Sequence, residues 1–88
     1  MKLFTIVQEG HEYDVSTRQR DNIIDITTLN HDGSTVLVAE VVFDDSVSQV
    51  FASYFSDGQE VPVDVPNELY WNQNRRELAE WLISGLYQ

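Results

Sequence analysis

Apolar and polar side chains alternate through the first half of the chain, and this alternation predicts four strands at about residues 2–8, 13–18, 22–29 and 35–43. Period two gives each strand one face for a core and one for water. The intervals carry turn residues: Glu9-Gly10, the polar run 18–21, and Asp32-Gly33. Such short connections predict hairpins and an antiparallel meander. Asp32-Gly33 predicts a two-residue type I′ turn, because both of its central positions take positive φ. A turn of that length fixes the pairing. Ile24 then faces Val41, Ile26 faces Ala39 and Thr28 faces Leu37 on one side of the sheet, while Asp25 faces Glu40 on the other. A slip of one residue would set these apolar side chains on opposite faces, so the pattern supports the same register as the turn.

Beyond residue 44 the spacing changes. Val47, Val50, Phe51, Tyr54 and Phe55 recur at the separations of one helix face, which predicts a helix over 46–56. Asp44 or Asp45, or a box of Ser46 with Gln49, serves as its start, and Asp57-Gly58 as its end. Residues 59–66 alternate valines with Pro62 and Pro66 and read as an extended connector, at most an edge strand. A longer helix is predicted over 67–87, with Asn67 as cap and Glu68 in its first turn. Trp71, Leu78, Ala79, Leu82 and Leu86 form its buried stripe, and Tyr70, Asn74 and Trp81 run along one margin. The expected fold is therefore α+β: a four-stranded antiparallel meander followed by two helices packed on one face, the face of Leu37, Ala39, Val41 and Phe43. All 88 residues fall into a single domain.

Charge sharpens the picture. The formal net charge is -10, and between Arg20 and Arg75 the chain has no lysine or arginine. That interval holds Asp21, Asp25, Asp32, Glu40, Asp44, Asp45, Asp57, Glu60, Asp64 and Glu68. Elsewhere Glu9, Glu12, Asp14, Glu77 and Glu80 are balanced by Lys2, Arg18, Arg20, Arg75 and Arg76. Such a field repels nucleic acid and anionic membrane and speeds encounter with a basic partner. Without cysteine there is no disulfide framework, thiolate nucleophile or cysteine-based metal site, which fits a reducing compartment. The first eight residues are too few and too polar for a secretory signal, and no apolar run approaches the ~18 residues of a membrane span. A cytoplasmic location is expected.

Little in the sequence points to catalysis. Its glycines are isolated, without the spacing that cradles a phosphate, so no cofactor is expected. His11 and His31 lie in turns, and no serine is placed to be activated by either. Asp44-Asp45 and the Asp57/Glu60 pair lack the alternating ligand spacing of a calcium loop, so no metal site is expected. Two constellations remain for binding. One is the acidic surface of Asp21, Asp25, Glu40, Asp44 and Asp45, where like charges meet across a strand pair at a cost to stability. The other is the Tyr70, Asn74 and Trp81 margin, whose residue types suit an interface anchor.

With its 88 residues, marked acidity, small meander with helices and absence of a catalytic motif, the chain resembles the small phage-encoded inhibitors of bacterial defence, the anti-CRISPR and anti-restriction proteins. The resemblance is one of size, charge and missing chemistry over the whole chain, and it carries no motif from residue to residue. It implies a non-enzymatic protein of the host cytoplasm that engages and inhibits a basic, nucleic-acid-handling complex without touching nucleic acid or membrane. The alternative expectation is a structural or regulatory subunit held through the aromatic helix margin.

Overall fold

In the computed structural model, which describes residues 1–18, 22–44, 46, 49–72 and 74–88, the chain forms a six-stranded antiparallel sheet followed by two helices. The strands are β1 (Lys2–Gln8), β2 (His11–Arg18), β3 (Ile23–Leu29), β4 (Thr35–Asp44), β5 (Gln49–Ser56) and β6 (Gln59–Val63), and they lie side by side in chain order. The helices are α1 (Asn67–Asn72) and α2 (Arg75–Gly85). The α+β class and the antiparallel meander agree with expectation. The number of strands does not, because the meander continues for two strands past β4.

Of the segment expected as the first helix, residues 49–56 form β5, and residues 47 and 48 lie outside the described residues. The apolar residues of β5 satisfy both periods, but valine, phenylalanine and tyrosine favour a pleated surface, and Val50 and Ala52 are buried while Phe51 between them is exposed. Asp57-Gly58 decides the matter: φ of 52° and 78° make it a type I′ hairpin turn between Ser56 and Gln59, not a helix end. The expected connector accordingly pairs with β5 as an edge strand. Asp44 caps no helix either. Its Oδ1 accepts hydrogen bonds from the Ser46 backbone N–H at 3.1 Å and hydroxyl at 2.6 Å, closing a tight side-chain turn.

Glu9-Gly10 is the second type I′ turn, with φ of 53° and 77°. Asp32-Gly33 is not one, since only Gly33 has positive φ. Asn30 and Ser34 instead flank a loop of three residues: Gly33 N–H donates to the Asn30 carbonyl at 3.0 Å, and Asn30 N–H to the Ser34 carbonyl at 2.8 Å. The Asp32 carboxylate accepts from the Ser34 hydroxyl and backbone N–H, and these bonds lower its pKa. The longer loop pairs Thr27 with Leu37 and Thr28 with Val36, correcting the expected Thr28–Leu37 pair. A bulge at Val38 then restores the expected register, so Ile26 faces Ala39, Asp25 faces Glu40 and Ile24 faces Val41. The bulge also changes which side chain reaches the core. Val38 packs against it, and Leu37 does not.

The core occupies one face of the sheet. Val15, Ile24, Ile26, Ala39, Val41 and Ala52 meet Leu78, Ala79, Leu82 and Ile83 of α2 there, all 3% exposed or less. The expected long helix is broken at Asn74, whose extended backbone (ψ 118°) lets its Oδ1 accept from Glu77 N–H at 3.0 Å and start α2. The break takes Trp71 out of the buried stripe, leaving it 76% exposed, and Leu86 lies beyond the last turn as the C-cap. Ile83 takes their place in the core. Further ties hold α2 to the sheet. The Arg75 guanidinium lies 4.4 Å above the Phe43 ring and that of Arg76 4.8 Å above Phe4. Tyr54 donates its hydroxyl to the Leu82 carbonyl at 2.6 Å, an approach that requires glycine at 85, where a Cβ would collide with that hydroxyl.

Candidate functional site

With α2 on one face, the opposite face of the sheet has no helix over it among the described residues. Register arranges this outer face in lines that run across the strands. The central line is Ser16, Asp25, Glu40, Ser53 and Pro62, each the cross-strand partner of the next. Beside it run Arg18, Ile23, Val42 and Phe51. On the other side lie Thr5, Asp14, Thr27 and Leu37. The polar central line thus has an apolar neighbour line on one side only, Ile23, Val42 and Phe51, of which Phe51 is the most prominent at 49% exposed.

Asp25 and Glu40 face each other as expected, but they do not repel unopposed. Arg18 Nε lies 2.7 Å from Asp25 Oδ2, and Arg18 Nη2 lies 2.7 Å from Glu40 Oε2. One guanidinium therefore bridges two carboxylates from the diagonal position that antiparallel pairing gives it. Its pKa is raised, first by the hydrogen bond to Asp25. This corrects the expectation that like charges meet across the strand pair at an unrelieved cost to stability. The correction is partial: two negative charges meet one positive charge, and Asp25 Oδ1 is buried without a hydrogen-bond partner. An acceptor left in that state costs about 1–3 kcal/mol unless a donor reaches it. At the other margin, Asp14 pairs with Lys2 at 3.2 Å and accepts from Thr5 Oγ1 at 2.9 Å; its pKa is lowered, chiefly by the Thr5 bond and then by Lys2. Glu12, Asp44 and Glu60 share the same face by strand alternation.

A groove of about 700 Å³ leads from Phe51 and Ser53 past Pro62 and Asp64 to Tyr70. It joins the outer face to α1, where Tyr70 packs on the core and stands edge-to-face with exposed Trp71, ring centres 5.3 Å apart. The expected aromatic margin is therefore divided. Tyr70 belongs to this groove, Asn74 caps α2, and Trp81 is half-buried against the core on a separate helix. Asp21 and Asp45 lie outside the described residues. Phe51 was missed by sequence reasoning because its place on this face needs β5, for which the second Asp-Gly pair was the signal, and Arg18 was missed because its place needs the β2–β3 register.

Among the described residues no three histidine or carboxylate groups converge to hold a metal ion, and no helix is long and apolar enough to cross a membrane. Compared with known protein families, with curated proteins and with solved structures, the chain matches none.

Proposed function

We propose that this chain is a non-enzymatic binding protein whose outer sheet face engages a basic, nucleic-acid-handling protein and inhibits it, in the manner of the phage-encoded defence inhibitors it resembles in size and charge. One observation carries the reading: an uncovered sheet face combines apolar anchors with unbalanced carboxylates. Ile23, Val42 and Phe51 supply the area that excludes water, and Asp25, Glu40 and Asp44 beside them supply a field that favours cations. Asp25 and Glu40 share the single Arg18 cation, so the pair keeps a net negative charge that an arginine or lysine of the partner can answer. Tyr70 and Trp71 extend the surface through the groove, joining part of the second expected interface to the first. The inhibition itself rests on occlusion: a protein seated on a basic nucleic-acid channel excludes the phosphates that would otherwise fill it.

The test is capture of basic proteins from a bacterial extract by the immobilised chain, compared with Phe51→Ala. Capture is expected to weaken steeply between roughly 50 and 500 mM salt and to fall at least about tenfold for Phe51→Ala with the fold intact. Binding that ignores both salt and Phe51 would remove the outer face from consideration, and direct binding of DNA or RNA would remove the electrostatic argument with it.

A further inference from the structure

The two edges of the sheet, β1 and β6, are finished differently. In β6 the residues flanking the type I′ turn are Ser56 and Gln59, a pair that exchanges backbone hydrogen bonds; Val61 and Val63 therefore also face β5, while Glu60 and Pro62 turn their backbone to the open side. Pro62 has no N–H to offer there, so β6 is a poor template for a further strand. The same count on β1 starts from Gln8 and His11. It directs Ile6 and Phe4 to β2 and leaves the N–H and C=O of Thr5 and Val7 pointing outward. No proline interrupts this edge, and β1 is the edge strand without an acid.

We propose that β1 pairs antiparallel with β1 of a second copy, Thr5 of each opposite Val7 of the other, about a two-fold axis at Ile6. This register uses both outward-facing residues of the regular part of the strand, each pair exchanging both of its backbone hydrogen bonds. The alternative centred on Thr5 brings Val7 against the bulge between Lys2 and Phe4. Val7, 65% exposed in the single chain, gains a neighbour on the outer face. Antiparallel pairing also carries Lys2 toward Glu9 of the second copy at both ends, so the contact is complementary in charge within a chain that otherwise repels itself. The net charge of -10 on each copy opposes association at long range. Salt screens that repulsion over a Debye length of about 8–10 Å and leaves backbone bonds and Val7 burial in place, so the pair tightens as salt rises. With the axis normal to the sheet, both outer faces lie on the same side, and the dimer is bivalent toward a partner. That last consequence rests on the proposed function; the pairing does not.

Sedimentation velocity of the full chain from about 10 µM to about 1 mM, in roughly 0.05 and 0.5 M sodium chloride, reads the equilibrium. A dimer that grows with concentration and with salt is expected. Val7→Pro removes one outward N–H without breaking a β1–β2 bond and is expected to leave a folded monomer by circular dichroism and thermal midpoint. Val7→Glu, which sets like charges close together across the axis, repeats the test should the proline disturb folding. Because the chain has no cysteine, mixing Thr5→Cys with Val7→Cys chains under oxidation reports the register directly. Crosslinks between the two variants should exceed those within either. A monomer at about 1 mM in high salt, a dimer indifferent to both Val7 variants, or crosslinks dominated by Thr5→Cys with itself would overturn the proposal. Neither Val7 variant alters Asp25, Glu40 or Phe51, and salt acts in opposite directions on the two interactions, so failure here is distinct from failure of the basic-partner reading.

Discussion

The two faces of the sheet are made of alternate residues of the same strands, yet they are finished to different standards. On the inner face Ile24, Ile26, Val41, Leu78 and Leu82 are fully enclosed, and the polar groups that reach it are bonded: Tyr54 donates to Leu82, and Tyr13 meets the Tyr87 hydroxyl. On the outer face the central line is polar, its ion pairs leave a carboxylate oxygen unmet, and Phe51 stands half in water. Dry packing explains the first face completely. The second is stable enough to exist without being optimised, which is the condition expected of a surface shaped by something other than folding.

Truncating the inner face should therefore have the largest effect on stability. Leu82→Ala leaves a cavity between α2 and the sheet and is expected to cost about 2–5 kcal/mol in denaturant unfolding. The outer face should keep its binding wherever the variant is still folded. A loss below about 1 kcal/mol would mean that the inner face can collapse around the gap, and the contrast between the faces would weaken.

High pH sharpens the same contrast from another side. Burial first, and the hydrogen bond to Tyr87 second, raise the Tyr13 pKa from 10.0 to about 12. The unfolded chain thus releases this proton near pH 10 while the folded chain holds it. Its contribution is complete below pH 10 and is lost as pH climbs through about 12. Stability followed by tryptophan fluorescence should fall across that window in the parent chain and less steeply in Tyr13→Phe. An identical fall in both would show that other groups carry the alkaline transition.

How far the sequence revealed this arrangement depended on how many periods a segment satisfied. The first four strands were legible because only period two fits them. Residues 49–56 fit both periods, and the choice fell to Asp57-Gly58, whose chemistry suits a hairpin as well as a helix end. The Asp25–Glu40 pair was found through a turn one residue shorter than the real loop, and the bulge at Val38 happened to compensate. Arg18 was out of reach, since its bridge spans a diagonal and two strands and depends on the β2–β3 register that the polar run 18–21 leaves open. The helix break was written in Asn74, a better cap than a helix interior, but periodicity on either side of it hid the signal.

The smallest expected effect on stability comes from the outer face itself, and it tests the comparison most closely. Replacing Asp25 by Asn and Glu40 by Gln keeps shape, removes the repulsion between them, and converts the two bonds at 2.7 Å from ion pairs to weaker bonds between the Arg18 cation and neutral amide oxygens. The first change stabilises and the second destabilises. Arg18 is 44% exposed, so solvent screens its pairs and the net change should stay within about 1 kcal/mol. Arg18→Gln alone should cost more than the double change, because it leaves both carboxylates in place with no cation between them. Binding should move the other way in magnitude: the double change is expected to weaken a basic partner by about 1–3 kcal/mol and to flatten the salt dependence, whereas Arg18→Gln frees both carboxylates and should strengthen it. If the double change lowers stability by several kcal/mol while binding and its salt dependence persist, the Arg18 bridge is a structural clamp. The outer face would then be finished to the same purpose as the inner one, and Phe51 with the Tyr70 groove would be left as the interface.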